Sequence, residues 1–187
     1  MTIKKVEVAH YSIPLPVVLS DSMHGDMASF ELMTARILDD EGREGLGYTY
    51  TLGAGARAIH SVMQSDMAPF LMGRDETRIE EIWHGLWWKL HYAGRGGLVI
   101  HALSAIDIAL WDLLGKRTSL PLWRLLGGAD PKVKAYAGGI DLMFSLDDLL
   151  AQTDQNLSKG FRAIKMKVGR DNLHEDVERI KTIRNHL

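Results

Sequence analysis

After Pro131 the chain alternates strand-like and helix-like stretches twice, and this limits its fold more than any other feature. Val133 to Ala137 reads as a strand. Ser145-Leu146-Asp147-Asp148 then opens a helix with a capping hydroxyl and early carboxylates, and Leu146, Leu149, Leu150 and Leu157 form its apolar stripe. Phe161 to Gly169 reads as a second strand, bracketed by Gly160 and Gly169 and alternating with period two. Ile164, Met166 and Val168 share one face; Ala163, Lys165 and Lys167 share the other. Asp171 can cap a last helix with Leu173, Val177, Ile180, Ile183 and Leu187 on one side. Two consecutive strand–helix units imply parallel strands joined by right-handed crossovers. The apolar strand face packs under the helices. If the sheet curls into a barrel, Lys165 and Lys167 point inward, where cations are costly unless they meet anions or do chemistry.

Residues two apart on a strand stand side by side, so the two lysine amines can reach a common point. Each cation disfavours the protonated form of the other, and burial disfavours it further. That combination turns a lysine into a usable base near neutral pH. The plainer alternative is an amphipathic edge strand with two solvated lysines.

The first part of the chain has a different pattern. Ile3, Val6, Val8 and Ile13 mark a strand that Pro14 and Pro16 end, and Leu19 to Asp26 is polar and turn-forming, a mobile loop. A second strand near Phe30 to Leu38, the turn Asp39-Asp40-Glu41-Gly42 and a third strand Gly45 to Tyr50 complete an antiparallel meander. Helical periodicity follows over Ala56 to Leu71 and Arg78 to Leu90, where the tryptophans and methionines read as core. The turn Ala93 to Gly97 leads into a long apolar helix from Leu98 to Leu114. With no strand before it and no GxGxxG or Walker spacing, it is not a nucleotide site. Gly127-Gly128-Ala129-Asp130-Pro131 divides the chain into domains 1–128 and 129–187.

Composition narrows the class. The 187 residues are 46% hydrophobic with a formal charge of -2, ordinary for a soluble globular protein. Such a balance gives no basis for nucleic-acid or anionic-membrane binding. The lack of cysteine fits a cytoplasmic location, and no signal core or run of ~20 apolar residues is evident.

Ala102-Leu103-Ser104-Ala105-Ile106-Asp107-Ile108-Ala109-Leu110-Trp111-Asp112-Leu113-Leu114-Gly115-Lys116, followed by Pro121-Leu122-Trp123-Arg124-Leu125-Leu126-Gly127, resembles the signature of the mandelate racemase/muconate lactonizing branch of the enolase superfamily. Lys165-Met166-Lys167 follows where that family places its Lys-x-Lys strand. The resemblance implies an α+β capping domain, built from the three-stranded meander and helices, and then a TIM-type (β/α) barrel with its active site at the carboxyl ends of the strands. It also implies Mg²⁺-dependent removal of the proton α to a substrate carboxylate. By the same resemblance Lys167 matches the catalytic base and Lys165 the partner that contacts the carboxylate. The loop Ser20 to Asp26 matches a capping loop, with His24 as a substrate contact, and the turn Tyr48 to Thr51 matches a second one, with Tyr50 reaching the substrate.

The family's acidic metal ligands lie on the third to fifth barrel strands, after Leu187, and neither Asp171 nor Glu175 takes their place. A barrel of this kind needs about 250 residues, so only its first two strand–helix units are expected here and the 187-residue chain alone is expected to be inactive. Trp87-Trp88, Arg95-Gly96-Gly97-Leu98 and Lys165-Met166-Lys167-Val168-Gly169 are similar to aldarate dehydratases of the galactarate/talarate kind, which implies dehydration of an acid sugar to a 2-keto-3-deoxy acid. Racemisation, epimerisation and cycloisomerisation start from the same enediolate and stay open, as does a non-catalytic assembly module. The expected partners are a small carboxylate substrate and either further copies in a homo-oligomer or the missing barrel part.

Overall fold

The computed structural model describes residues 1–187. Three strands, β1 (Ile3–Asp21), β2 (Gly25–Asp39) and β3 (Glu44–Thr51), form a sheet in the order β1-β2-β3. β2 and β3 are antiparallel, with Leu32 opposite Tyr50 and Leu38 opposite Glu44. The turn between them is closed by Asp39, whose Oδ1 accepts the amides of Glu41 and Arg43 at 2.9 and 2.8 Å.

Two expectations about β1 are corrected. The strand does not end at Pro14 and Pro16 but runs on to Asp21, and the expected mobile loop is a tight turn, Ser22–His24. β1 is an edge strand. Prolines two residues apart leave both missing N–H groups on the same, outer side, where no ladder bond is lost. Likewise Tyr48 to Thr51 is not a turn but the end of β3.

The chain divides into two compact units, residues 1–13 with 29–131, and residues 14–28 with 132–187. In the first, helical residues from Ala56 to Leu71 form α1 (Ala56–Val62), a π-helical stretch (Met63–Met67) and α2 (Ala68–Leu71). The π turn precedes Pro69, which has no N–H to give an α-helical ladder. α3 (Ile79–Lys89) buries Ile79, Ile82 and Leu86; Trp83 and Trp87 stack at 5.1 Å against the core. Trp88 departs from the expected core role: it is exposed, with the Arg95 guanidinium 4.4 Å from its ring centroid.

α4 (Leu98–Thr118) is long and apolar enough to cross a membrane by length and composition, contrary to the expectation that no such run exists. Here it is the central core helix, burying Val99, Ala102, Leu103, Ala105, Ile106, Ala109, Leu110 and Leu113. The signature stretch owes its small residues to this packing. A Cβ on Gly47 would lie 2.0 Å from the Ala105 carbonyl oxygen, and one on Gly45 equally close to that of Ala109. Gly45 and Gly47 with Ala105 and Ala109 therefore let helix and strand backbones touch. Asp112, from the same stretch, accepts the Leu46 amide at 2.8 Å and pairs with Lys116. α5 (Leu122–Leu125) follows.

In the second unit β4 (Ala137–Gly138) and β5 (Ile164–Lys165) pair in parallel, Ala137 opposite Ile164 and Gly138 opposite Lys165, as two strand–helix units require. Both strands are shorter than the sequence implies, and Val133 is exposed coil. α6 (Leu146–Ser158) is capped by Ser145, whose Oγ accepts the Asp148 amide at 3.1 Å. α7 (Leu173–His186) is capped by Asn172 and not by Asp171, with Asn172 Oδ1 accepting the His174 amide at 3.0 Å.

The contact of β3 with α4 yields a direct expectation. Gly47→Ala places a methyl against backbone that cannot rotate away, and should cost about 1–3 kcal/mol or more, as overpacked cores do. Denaturant unfolding checks this; an unchanged midpoint would contradict the packing described.

Candidate active site

The carboxyl ends of β4 and β5 gather the residues that the Lys-x-Lys reading singles out. Ile164, Met166 and Val168 line an open apolar cavity of about 450 Å³ with Ile180, Ile183 and Leu187 of the last helix. Strand alternation sets Lys165 on the opposite face, and Lys167 follows two residues on, past the end of β5. Lys165 crosses Gly138 on the neighbouring strand, and its Nζ lies 5.8 Å from the centroid of the Tyr136 ring, within cation–π range. Lys167 is less exposed, and its Nζ lies 3.6 Å from Asp21 Oδ2. Each amine thus has its own partner.

The ladder between β4 and β5 stops at Gly139, whose amide donates to the Lys165 carbonyl at 2.8 Å. Asp141 takes over from there. It is fully buried, and its Oδ1 accepts the Lys167 amide at 2.8 Å. A Cβ on Gly139 would meet Asp141 Oδ2 at 1.9 Å, so only glycine leaves room for this carboxylate. Arg179 donates to the carbonyls of Asp141 and Phe144 at 2.8 and 2.6 Å, and Arg170 donates to those of Leu142 and Phe144. Asp176 Oδ2 accepts the amides of Gly169 and Arg170 at 2.7 and 3.1 Å. Burial, then Arg170, pulls the Arg179 pKa below its ordinary value, while Asp141, Asp176 and Glu175 oppose the shift.

This network corrects the stripe expected for α7. Asp176, Arg179 and Ile183 are its buried side, whereas Leu173 and Ile180 are exposed. Spacing by three and four residues would have located the buried side had charged residues been admitted to it. Asp21, Asp141, Arg170 and Arg179 were all missed because a charged residue reads as surface unless its partners are known.

The tip of the β1–β2 hairpin completes the group. Ser20 bridges to Asp141 in parallel, and its carbonyl accepts the Leu142 amide at 3.2 Å. An open cavity of about 390 Å³ is lined by Ser22, Leu142, Gly169, Arg170 and Glu175. His24 lies on the turn, half exposed, with Nδ1 3.0 Å from both oxygens of Asp21. Tyr50 belongs to the other unit, where its exposed ring stands edge-on to Phe30 at 5.6 Å. No group of three or more His, Asp or Glu side chains in the chain is arranged to hold a metal ion. Asp141 and Asp176 each give one oxygen to backbone amides and leave the other, Oδ2 and Oδ1, buried without a partner, and Glu175 pairs with Arg170; these carboxylates do not converge as a Mg²⁺ ligand set.

Hydrogen bonds from the His24 ring, then from the His24 and Met23 amides, hold Asp21 well below the usual carboxylate range against the opposing effect of burial. A carboxylate depressed in the folded state stabilises the turn above its unfolded pKa, and the contribution is lost as pH falls through the folded value. Carboxyl ¹³C NMR should therefore place the Asp21 midpoint below the ~3.9 of an unperturbed aspartate, and His24→Gln should raise it. A wild-type midpoint at or above the unperturbed value would contradict the hydrogen bonding described.

Comparison with known proteins shows the family of the chain. Residues 3–127 match the profile of the mandelate racemase / muconate lactonizing enzyme N-terminal domain. The chain is 54% identical over 185 residues to 3,6-anhydro-α-L-galactonate cycloisomerase of Streptomyces coelicolor, covering 99% of this chain and 51% of that protein. It is 33% identical over 192 residues to L-talarate/galactarate dehydratase of Salmonella typhimurium, covering 99% and 48%. Among solved structures, a racemase from Streptomyces coelicolor with bound magnesium superposes with a TM-score of 0.95 at 54% identity, over 98% of this chain and 52% of that one. The Salmonella dehydratase with Mg and L-lyxarohydroxamate gives 0.92 at 32% identity, over 98% and 48%. The chain spans about half the length of these relatives, so the barrel is incomplete in it. With its capping meander, signature helix and first two parallel strands, the chain belongs to the mandelate racemase / muconate lactonizing enzyme family of the enolase superfamily.

Proposed function

We propose that this chain supplies the capping hairpin and the general base of a Mg²⁺-dependent enzyme that removes the proton α to the carboxylate of an acid sugar. Residues 1–128 act as the cap and 129–187 begin the barrel. Lys167 takes the proton, Lys165 contacts the substrate carboxylate, and His24 and Tyr50 contact the rest of the substrate. What supports the reading is that Ile164, Met166 and Val168 line the apolar cavity, that the sequence alternation sets Lys165 and Lys167 apart from them, and that Lys167 Nζ lies 3.6 Å from Asp21 of the capping hairpin. Proton removal is worthwhile only where the developing charge is stabilised. The solved relatives bind Mg²⁺, but this chain gathers no ligand set for it. In this reading the ligands come from residues of the complete enzyme outside these 187, and the chain alone does not turn over substrate.

The step after proton removal is cleavage of the bond from the β carbon to oxygen. In an aldarate that oxygen leaves as water, the dehydration that the Trp87-Trp88 and Arg95-Gly96-Gly97-Leu98 stretches suggest. In a 3,6-anhydro acid the same oxygen belongs to the ring ether, so cleavage opens the ring and loses no atoms. The identity of 54% to the cycloisomerase, against 33% to the dehydratase, favours ring opening. Dehydration is the second reading.

Complementation tests this. The 187-residue chain is mixed with the carboxyl-terminal half of the Streptomyces relative and Mg²⁺, and offered 3,6-anhydro-L-galactonate or galactarate. The expected result is no turnover by the chain alone, ring opening by the mixture, and a loss of about 10²–10⁴-fold with Lys167→Ala, as removal of a general base produces. Turnover by the chain alone, or an active mixture with Lys167→Ala, would contradict the proposal.

A further inference from the structure

Asp21 is not a freely swinging side chain. Its Oδ1 accepts the amides of Met23 and His24 at 2.9 and 2.8 Å, and both oxygens face His24 Nδ1 at 3.0 Å. A carboxylate only accepts, so Nδ1 must carry the hydrogen, and the neutral ring then offers Nε2 as an acceptor. The same carboxylate faces Lys167 Nζ. The tip itself is docked by the Ser20 to Leu142 backbone bond and by Ser22, which lies so close to Gly169 that a Cβ there would fall 2.7 Å from the Ser22 Cβ. Gly169 has a φ of +116°, so both its backbone and its lack of a side chain serve this contact.

We propose that Asp21 is a positioning residue that latches the hairpin tip to Lys167 and fixes His24 with Nε2 free to accept a hydrogen bond from a substrate hydroxyl. Its place in catalysis rests on the reading of Lys167 as the base. Because Asp21 is tied to the turn by two backbone amides, it does not leave the ammonium by changing its own rotamer. A polyhydroxylated acid suits this arrangement, since its carboxylate goes to lysine and one of its hydroxyls to Nε2. A carboxylate without hydroxyls leaves Nε2 to solvent.

Two measurements on the 187-residue chain test the latch. Ring ¹⁵N shifts of neutral His24 should report the Nδ1–H form in the wild type. Asp21→Asn keeps an acceptor oxygen and should keep that form, while Asp21→Ala should shift the ring toward Nε2–H. Exchange of the Leu142 amide, which docks the tip, should accelerate about two- to fivefold in Asp21→Asn and in Lys167→Met, the range for a partly exposed ion pair. The double variant should be no faster than either single one. A wild-type ring in the Nε2–H form, or single effects that multiply in the double variant, would overturn the proposal. Such a failure leaves the base assignment standing, because that is judged by complementation with Lys167→Ala.

Discussion

The hydrogen bond from the Lys167 amide to Asp141 Oδ1 sets where the candidate base stands. Two strands of two residues each make a weak ladder, and it ends before Lys167 is reached. A hydrogen bond to a charged group contributes about 1.5–3 kcal/mol, and here the accepting carboxylate is fully buried. The ion pair of Lys167 with Asp21 is partly exposed and belongs to a class that contributes ~0–1 kcal/mol. The first interaction therefore fixes the strand, and the second only biases the tip of the hairpin. Asp141 can fill this role because Gly139 leaves space for it and Arg179 brings positive charge beside it.

The same economy of space operates in the cap. Glycines of β3 and alanines of α4 bring backbone against backbone, and the large residues Met33, Ile59, Met63, Leu86 and Leu110 fill the core around that contact. A family signature that looks like an ordinary apolar helix is thus a packing code. Its alanines allow approach to the strand, and its Asp112 caps the amide of Leu46.

Much of this was legible in the sequence. Period-two alternation gave the three strands of the meander, and the capping hydroxyl of Ser145 located the start of α6. The alternation at Ile164, Met166 and Val168 separated the apolar face from the lysines. The illegible parts share a cause. Pro14 and Pro16 look like a strand terminus unless the strand is known to lie at an edge, and Asp141, Asp176 and Arg179 look like surface charges unless their backbone partners are known. Edge position in the sheet decided the first case and tertiary hydrogen bonding the others, and the apolar pattern alone shows neither.

Whether Asp141 holds Lys167 is measured most directly by amide hydrogen exchange, residue by residue. The expected result is a protected Lys167 amide between faster-exchanging Met166 and Val168 amides, with the protection abolished by Asp141→Ala. A Lys167 amide that exchanges as fast as its neighbours in the wild-type chain would contradict it.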